Sequence, residues 1–168
     1  MKRDVCLLSC LAMLFILLIG CGSSNNSLKG SSNNSSKETD WEPTIHERVN
    51  HLEGVTMFIK EGTVSPTGLT VLFENNSDKR WIYGEYFLLE KKMKGKWYQV
   101  PIALEENYGF RDIGYDLDSS DVREWTVDWD WLYGSLDTGE YRIVKDILDF
   151  RKAGDYDKHY LTAEFTIG

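Results

Sequence analysis

From Val55 onward, apolar and polar positions alternate with a period of two. Val55, Met57 and Ile59 alternate with Thr56, Phe58 and Lys60. Leu69, Val71 and Phe73 alternate with Thr70, Leu72 and Glu74, and Asn75-Asn76-Ser77-Asp78 then makes a turn. Successive side chains of a strand point to opposite faces, so each alternation marks one face for a core and one for water. Trp81 to Lys92 reads as one long aromatic and aliphatic strand. Gly84 inside it predicts a bulge or a close backbone approach and leaves the facing of that strand open. Lys94-Gly95-Lys96 turns into Trp97 to Pro101, whose proline marks a strand end or an edge. Ala103 to Ser120 is acidic and irregular. Val122 to Trp129 places Trp125, Val127 and Trp129 on one face, and Glu140 to Leu148 forms a further strand. The last strand sets Leu161, Ala163, Phe165 and Ile167 inward, against Tyr160, Thr162, Glu164 and Thr166. About seven strands separated by turn signals, with no long helical period, predict an all-β antiparallel sandwich over residues 55–168.

Two segments precede the alternation. Residues 41–54 are transitional: Thr44 and Glu47 fit a capping box, with Ile45, Val49 and Leu52 on one side and Gly54 as a stop. A short amphipathic helix and an extended lead-in both fit. Residues 21–40 are mostly Ser, Asn and Gly with Leu28 as the apolar exception, too little apolar surface to offset the entropy of ordering, so a flexible linker is expected.

At the start of the chain, Lys2 and Arg3 are followed by an almost unbroken apolar run from Val5 to Ile19. A membrane span needs about 20 apolar residues, so this run has the length of a signal-peptide core, and residues 1–20 read as a signal peptide. An uncleaved anchor helix is the other reading, and both put the rest of the chain outside the cytoplasm. Leu18-Ile19-Gly20-Cys21 resembles the lipobox of bacterial lipoproteins. The resemblance implies that the Cys21 thiol carries a diacylglyceryl group and becomes the first mature residue. Two acyl chains anchor a protein durably where one does not, so the lipid bilayer is an expected partner. Cys6 and Cys10 leave with the signal and Cys21 is used for lipid, so the domain has no disulfide or thiolate chemistry.

Leu136-Asp137-Thr138-Gly139-Glu140-Tyr141 has the spacing of a tyrosine corner, in which a phenol bonds backbone a few residues upstream. That narrows the expectation to an immunoglobulin-like sandwich. The runs Thr67-Gly68-Leu69-Thr70, Asn75-Asn76-Ser77, Tyr83-Gly84, Leu89-Glu90, Gly95-Lys96-Trp97, Tyr133-Gly134-Ser135-Leu136 and Gly139-Glu140-Tyr141-Arg142-Ile143 extend the picture. From Val55 to Ile167 the chain resembles a bacterial immunoglobulin-like domain family found in lipoproteins of Bacillus-type bacteria. These motifs are turns, glycines and core aromatics. The resemblance implies a sandwich of unassigned function with no catalytic residues and no cofactor to carry over.

Charge restricts the partners. The formal charge of −8 becomes −9 once Lys2, Arg3 and Asp4, together +1, are removed. Such a surface repels nucleic acid. Asp112, Asp116, Asp118 and Asp121 cluster in the irregular segment, and alternating carboxylates can hold Ca²⁺. The spacing lacks an EF-hand's glycine and terminal glutamate, so a solvated acidic loop is the preferred reading and Asp116, Asp118 and Asp121 are weak metal candidates. Aromatics make up 13% of the chain. Trp129, Trp131 and Tyr133 would share a face if extended, as a platform for sugar rings or a peptide; core packing is the competing and preferred reading. His46 and His51 are spaced five apart and fit no zinc motif. With no nucleophile elbow and no phosphate- or dinucleotide-binding loop, an enzyme is not expected. The expectation is a non-catalytic, membrane-anchored lipoprotein with an envelope protein as partner. A cell-wall or glycan-binding module is the alternative, and a calcium-stabilised domain the weaker one.

Overall fold

The computed structural model describes residues 40–104 and 107–168. Cys21, the signal segment and the linker lie outside them. Nine strands occur among the described residues, in two antiparallel sheets. The smaller sheet has the order β1 (Val55–Ile59), β2 (Gly68–Asn75), β7 (Asp121–Asp128). The larger joins β3 (Trp81–Tyr83), β4 (Phe87–Met93), β5 (Lys96–Gln99) and β6 (Tyr115–Leu117) to the two longest strands, β8 (Gly139–Lys152) and β9 (Asp155–Ile167). One helical turn, α1 (Asp130–Tyr133), follows β7.

The core lies between the sheets, where the alternation put it. Val55, Met57, Leu69, Val71, Phe73 and Val127 come from the smaller sheet, and Leu89, Tyr141, Ile143, Ala163, Phe165 and Ile167 from the larger. Register keeps them in line: Met57 pairs Phe73, Leu69 pairs Val127, and Tyr141 pairs Phe165 with their rings stacked at 5.7 Å. The expected tyrosine corner is present. The Tyr141 hydroxyl donates to the Asp137 carbonyl at 2.9 Å. Tyr141→Phe should remove about 1 kcal/mol, seen as a lower urea midpoint at unchanged slope.

Three sequence expectations are refined. The Trp81–Lys92 strand is two strands, β3 and β4, both lying antiparallel along β8. Ile82 pairs Leu148 whereas Phe87 pairs Lys145, so the chain between them carries two extra residues against β8. This is the bulge that Gly84 announced, and a Cβ at Gly84 would sit 3.2 Å from the Ile113 carbonyl. An insert of two preserves parity, so Trp81, Tyr83, Phe87 and Leu89 all face inward. The expected turn at Lys94-Gly95 is a two-residue hairpin with both φ angles positive, +50° and +77°. The segment expected to be irregular contains β6.

The helix that Thr44 and Glu47 allowed does not form. Residues 42–44 instead run along the free edge of β5: Gln99 N–H donates to the Glu42 carbonyl (2.8 Å) and Thr44 N–H to the Trp97 carbonyl (3.0 Å). A short helix is marginal without tertiary contacts, and an unpaired edge supplies better partners. The Thr44 hydroxyl, the presumptive cap, donates to Glu90 Oε1 at 2.6 Å instead. From there the chain covers the outward face of the larger sheet. Glu90 and Arg142 are cross-strand partners on that face, and both are buried beneath the strap. Arg142 Nε donates to Glu90 Oε2 at 2.6 Å, and Nη2 donates to Thr44 Oγ1 (3.1 Å) and the His46 carbonyl (3.3 Å). The Trp97 ring lies 4.7 Å from the guanidinium carbon.

His46 is part of the strap and turns its buried ring against Tyr160, with ring centroids 4.3 Å apart. Its Nε2 has no hydrogen-bond partner among the described residues. Burial holds its pKa below the ordinary 6.5; Glu90 and Asp146 act against that shift and Arg142 acts with it. The unfolded chain therefore takes up a proton near pH 6.5 that the native chain refuses, and stability falls as pH drops through that range. His46→Leu should reduce this dependence, leaving the part due to His159, which burial also holds below its ordinary value; urea midpoints at pH values on either side of 6.5 measure it.

Candidate functional site

The bulge between β3 and β4 has two consequences on one side of the domain. The first is internal. Lys145 of β8 faces the core and is fully buried. Its ammonium is satisfied where the bulge opens: it donates to the Tyr86 carbonyl (2.6 Å) and Asp146 Oδ1 (2.8 Å), beside the Trp125 ring at 5.3 Å. Burial lowers the Lys145 pKa, against the opposing effect of Asp146.

The second consequence is external. The bulge turns Tyr86 outward, 38% exposed. It meets Phe110, which stands at the centre of an aromatic cluster. The Phe110 ring lies 5.4 Å from Tyr86, 6.3 Å from Tyr108 and 5.7 Å from Trp131, nearly edge-on to each. Below, it touches Phe87 at 5.5 Å, which continues into the core. Trp131 and Tyr108 are each 45% exposed. Three parts of the chain build this face: the bulge, the 107–114 segment, and α1, whose Leu132 carbonyl accepts from Ala103 N–H at 2.9 Å. The Trp131 indole donates to the Asp128 carbonyl at 2.9 Å, which fixes its ring.

A groove of about 450 Å³ runs beside the cluster, lined largely by apolar side chains including Ile82, Ile113, Leu148 and Phe150. Small-ligand and peptide-anchor pockets are of this size. Its rim carries Glu85, Arg111 and Asp146. Arg111 pairs with Glu85 at 3.1 Å, and the Tyr115 hydroxyl donates to the same carboxylate oxygen. The Tyr86 phenol is raised above its ordinary pKa chiefly by burial, and Tyr115 by its bond to Glu85. Both remain hydrogen-bond donors at neutral pH.

A family model for a bacterial Ig-like domain matches residues 51–166. The chain belongs to the bacterial Ig-like domain family. Such domains are generally non-catalytic, accessory modules. No curated protein and no solved structure gives a significant match.

Within this Ig-like domain the row of Trp129, Trp131 and Tyr133 does not exist as an extended face. The strand ends at Asp128 and the chain enters α1, so a period of two no longer applies. Trp129 is fully buried, with its indole N–H on the Pro66 carbonyl at 2.9 Å, and Tyr133 is buried too. Only Trp131 of the three is exposed, and it joins Phe110 and Tyr108 instead. Tyr86, Tyr108 and Phe110 were missed as site residues. The available signal was Tyr108-Gly109-Phe110, aromatic residues placed in an otherwise acidic loop.

The acidic candidates do not converge. Asp116 on β6 pairs with Arg80 at 3.4 Å, and Asp121 at the start of β7 pairs with Arg123 at 2.6 Å. The Asp118 backbone carbonyl serves the turn between them, accepting from Asn75 Nδ2 at 2.8 Å and from Asp121 N–H at 3.2 Å. Among the described residues no group of three His, Cys, Asp or Glu is placed to hold a metal ion.

Proposed function

We propose that the chain is a lipid-anchored extracytoplasmic lipoprotein whose Ig-like domain holds an envelope protein through the Tyr86–Tyr108–Phe110–Trp131 face. The observation that carries this is the exposed cluster itself. Large aromatic side chains on a rigid scaffold are favoured anchors at protein interfaces, and a monomer gains nothing by leaving them in water. The anchor rests on Leu18-Ile19-Gly20-Cys21, and the acidic charge favours a partner with a cationic rim.

The aromatic face also keeps the glycan-binding reading alive, since rings stack on sugars. The arrangement favours the protein reading: the neighbouring rings stand at 79°, 89° and 73° to Phe110, which makes notches for side chains rather than a flat stacking surface.

Two measurements test the proposal. Metabolic labelling with a fatty acid should mark the wild-type chain and not Cys21→Ser. Cross-linking in cells should recover a protein partner that is lost with Trp131→Ala and Tyr108→Ala while the circular dichroism spectrum is unchanged. Equal recovery by wild type and variants would overturn the assigned face. Retention on purified wall polysaccharide that depends on the same two residues would favour the glycan reading instead.

A further inference from the structure

We propose that His51 and His159 form a chelating site for a borderline divalent metal ion of the Zn²⁺, Ni²⁺ or Cu²⁺ class, stapling the segment ahead of β1 to the last strand. His51 Nε2 lies 3.1 Å from His159 Nδ1, although the residues are 108 positions apart. Their rings are tilted by 53° with centroids at 5.2 Å.

The pair is held from behind. Asn50, in a left-handed conformation with φ of +53°, docks on the open edge of β9. Its N–H donates to the Tyr160 carbonyl at 3.0 Å, its Nδ2 donates to the Thr162 carbonyl at 3.1 Å, and its Oδ1 accepts from Thr162 N–H at 2.8 Å. Three bonds on one residue fix the backbone of its neighbour His51 against His159. On the other side the His159 ring rests edge-on against Trp81 at 5.6 Å. The backbone at His51 and the ring of His159 are therefore each positioned by groups outside the pair, which brings the two imidazoles together.

The geometry suits a metal. Metal–imidazole bonds of about 2.0–2.1 Å at ordinary cis angles set the two nitrogens roughly 2.9–3.4 Å apart, and the observed separation falls inside that window. Without metal the same distance is a hydrogen bond in which one ring N–H donates to the other ring's lone pair; to bind a metal ion the donor ring carries its proton on its far nitrogen instead, so that two lone pairs face the ion. Imidazole pairs select Zn²⁺, Ni²⁺ and Cu²⁺ over Ca²⁺ and Mg²⁺, which require oxygen. Asp149 and Asp157 line the neighbouring cleft but pair with Lys79 (3.1 Å) and Arg151 (3.0 Å), so they act from outside the coordination shell. Water fills the remaining positions. Clefts of about 630 Å³ and 520 Å³ meet at His159 and leave room for it. Two protein ligands fall short of a closed structural zinc site, which takes four.

The test uses the untagged full chain in detergent with its cysteines alkylated, titrated with Zn²⁺ and with Ni²⁺. One equivalent should bind by calorimetry, and Ni²⁺ should broaden the ring NMR signals of His51 and His159 before those of His46. Metal should raise the melting temperature of the wild type. His51→Ala and His159→Ala should each weaken binding about tenfold or more, and the double variant should show no saturable binding up to about 1 mM metal. His51 is exposed, so His51→Ala decides the matter even if His159→Ala fails to fold. Absence of saturable binding up to about 1 mM metal, or wild-type affinity in His51→Ala, would overturn the proposal.

Discussion

Trp129→Ala should destabilise the domain by about 3–5 kcal/mol, the usual cost of deleting a buried aromatic ring. Trp131→Ala, two residues away, should change stability by no more than about 0.5 kcal/mol, as surface substitutions do. Trp129 has no solvent exposure, packs on Phe165 at 5.6 Å, and donates to the Pro66 carbonyl. Removing it opens a cavity where the two sheets meet and takes one of two bonds from that carbonyl, which still accepts from Leu136 N–H at 2.9 Å. Trp131 reaches outward from α1, and its removal leaves neighbouring rings and the exposed end of one bond to the Asp128 carbonyl, which water can replace. Urea denaturation of both variants checks the pair. Similar losses for the two would mean that both rings are structural, and the proposed face would lose its principal anchor.

Arg142→Ala should cost about 3–5 kcal/mol, because it leaves Glu90 charged and buried without its partner. The loss should be accompanied by faster hydrogen exchange at the Thr44 and Gln99 amides, whose bonds tie the strap to β5. The double variant Glu90→Leu/Arg142→Met should recover much of the stability, since replacing a buried ion pair by apolar groups of similar volume is often neutral or favourable. The two outcomes separate the desolvation of a lone carboxylate from the packing of the strap. If the single variant behaves like wild type, residues 42–46 do not cover the sheet in solution.

This buried pair marks where reading by periodicity ends. The sequence left the facing of the Trp81–Lys92 strand open; the structure turns Leu89 of β4 and Ile143 of β8 into the core. By the same period of two, Glu90, Arg142 and Val144 lie on the opposite face. Yet all three are buried, and over Glu90 and Arg142 the cover is a segment from before β1. The side-chain period of a strand reports a direction; it carries no information about what stands in that direction. The same limit applies to the aromatic row. A period of two was projected through Asp128 into α1, where a helical turn sends Trp129 and Tyr133 inward and Trp131 outward.

What the sequence determined by itself is local. The turn at Lys94-Gly95, the bulge at Gly84, the corner bond of Tyr141 and the inward set of the last strand follow from backbone geometry and side-chain spacing within a few residues. Tertiary structure alone decided which distant parts share a surface. It set Tyr86 beside Phe110 and Trp131, folded Thr44 onto Glu90 and Arg142, and brought His51 to His159. The reason is physical: these contacts depend on how two twisted sheets and a strap pack over long loops, and no short window of residues encodes that closure.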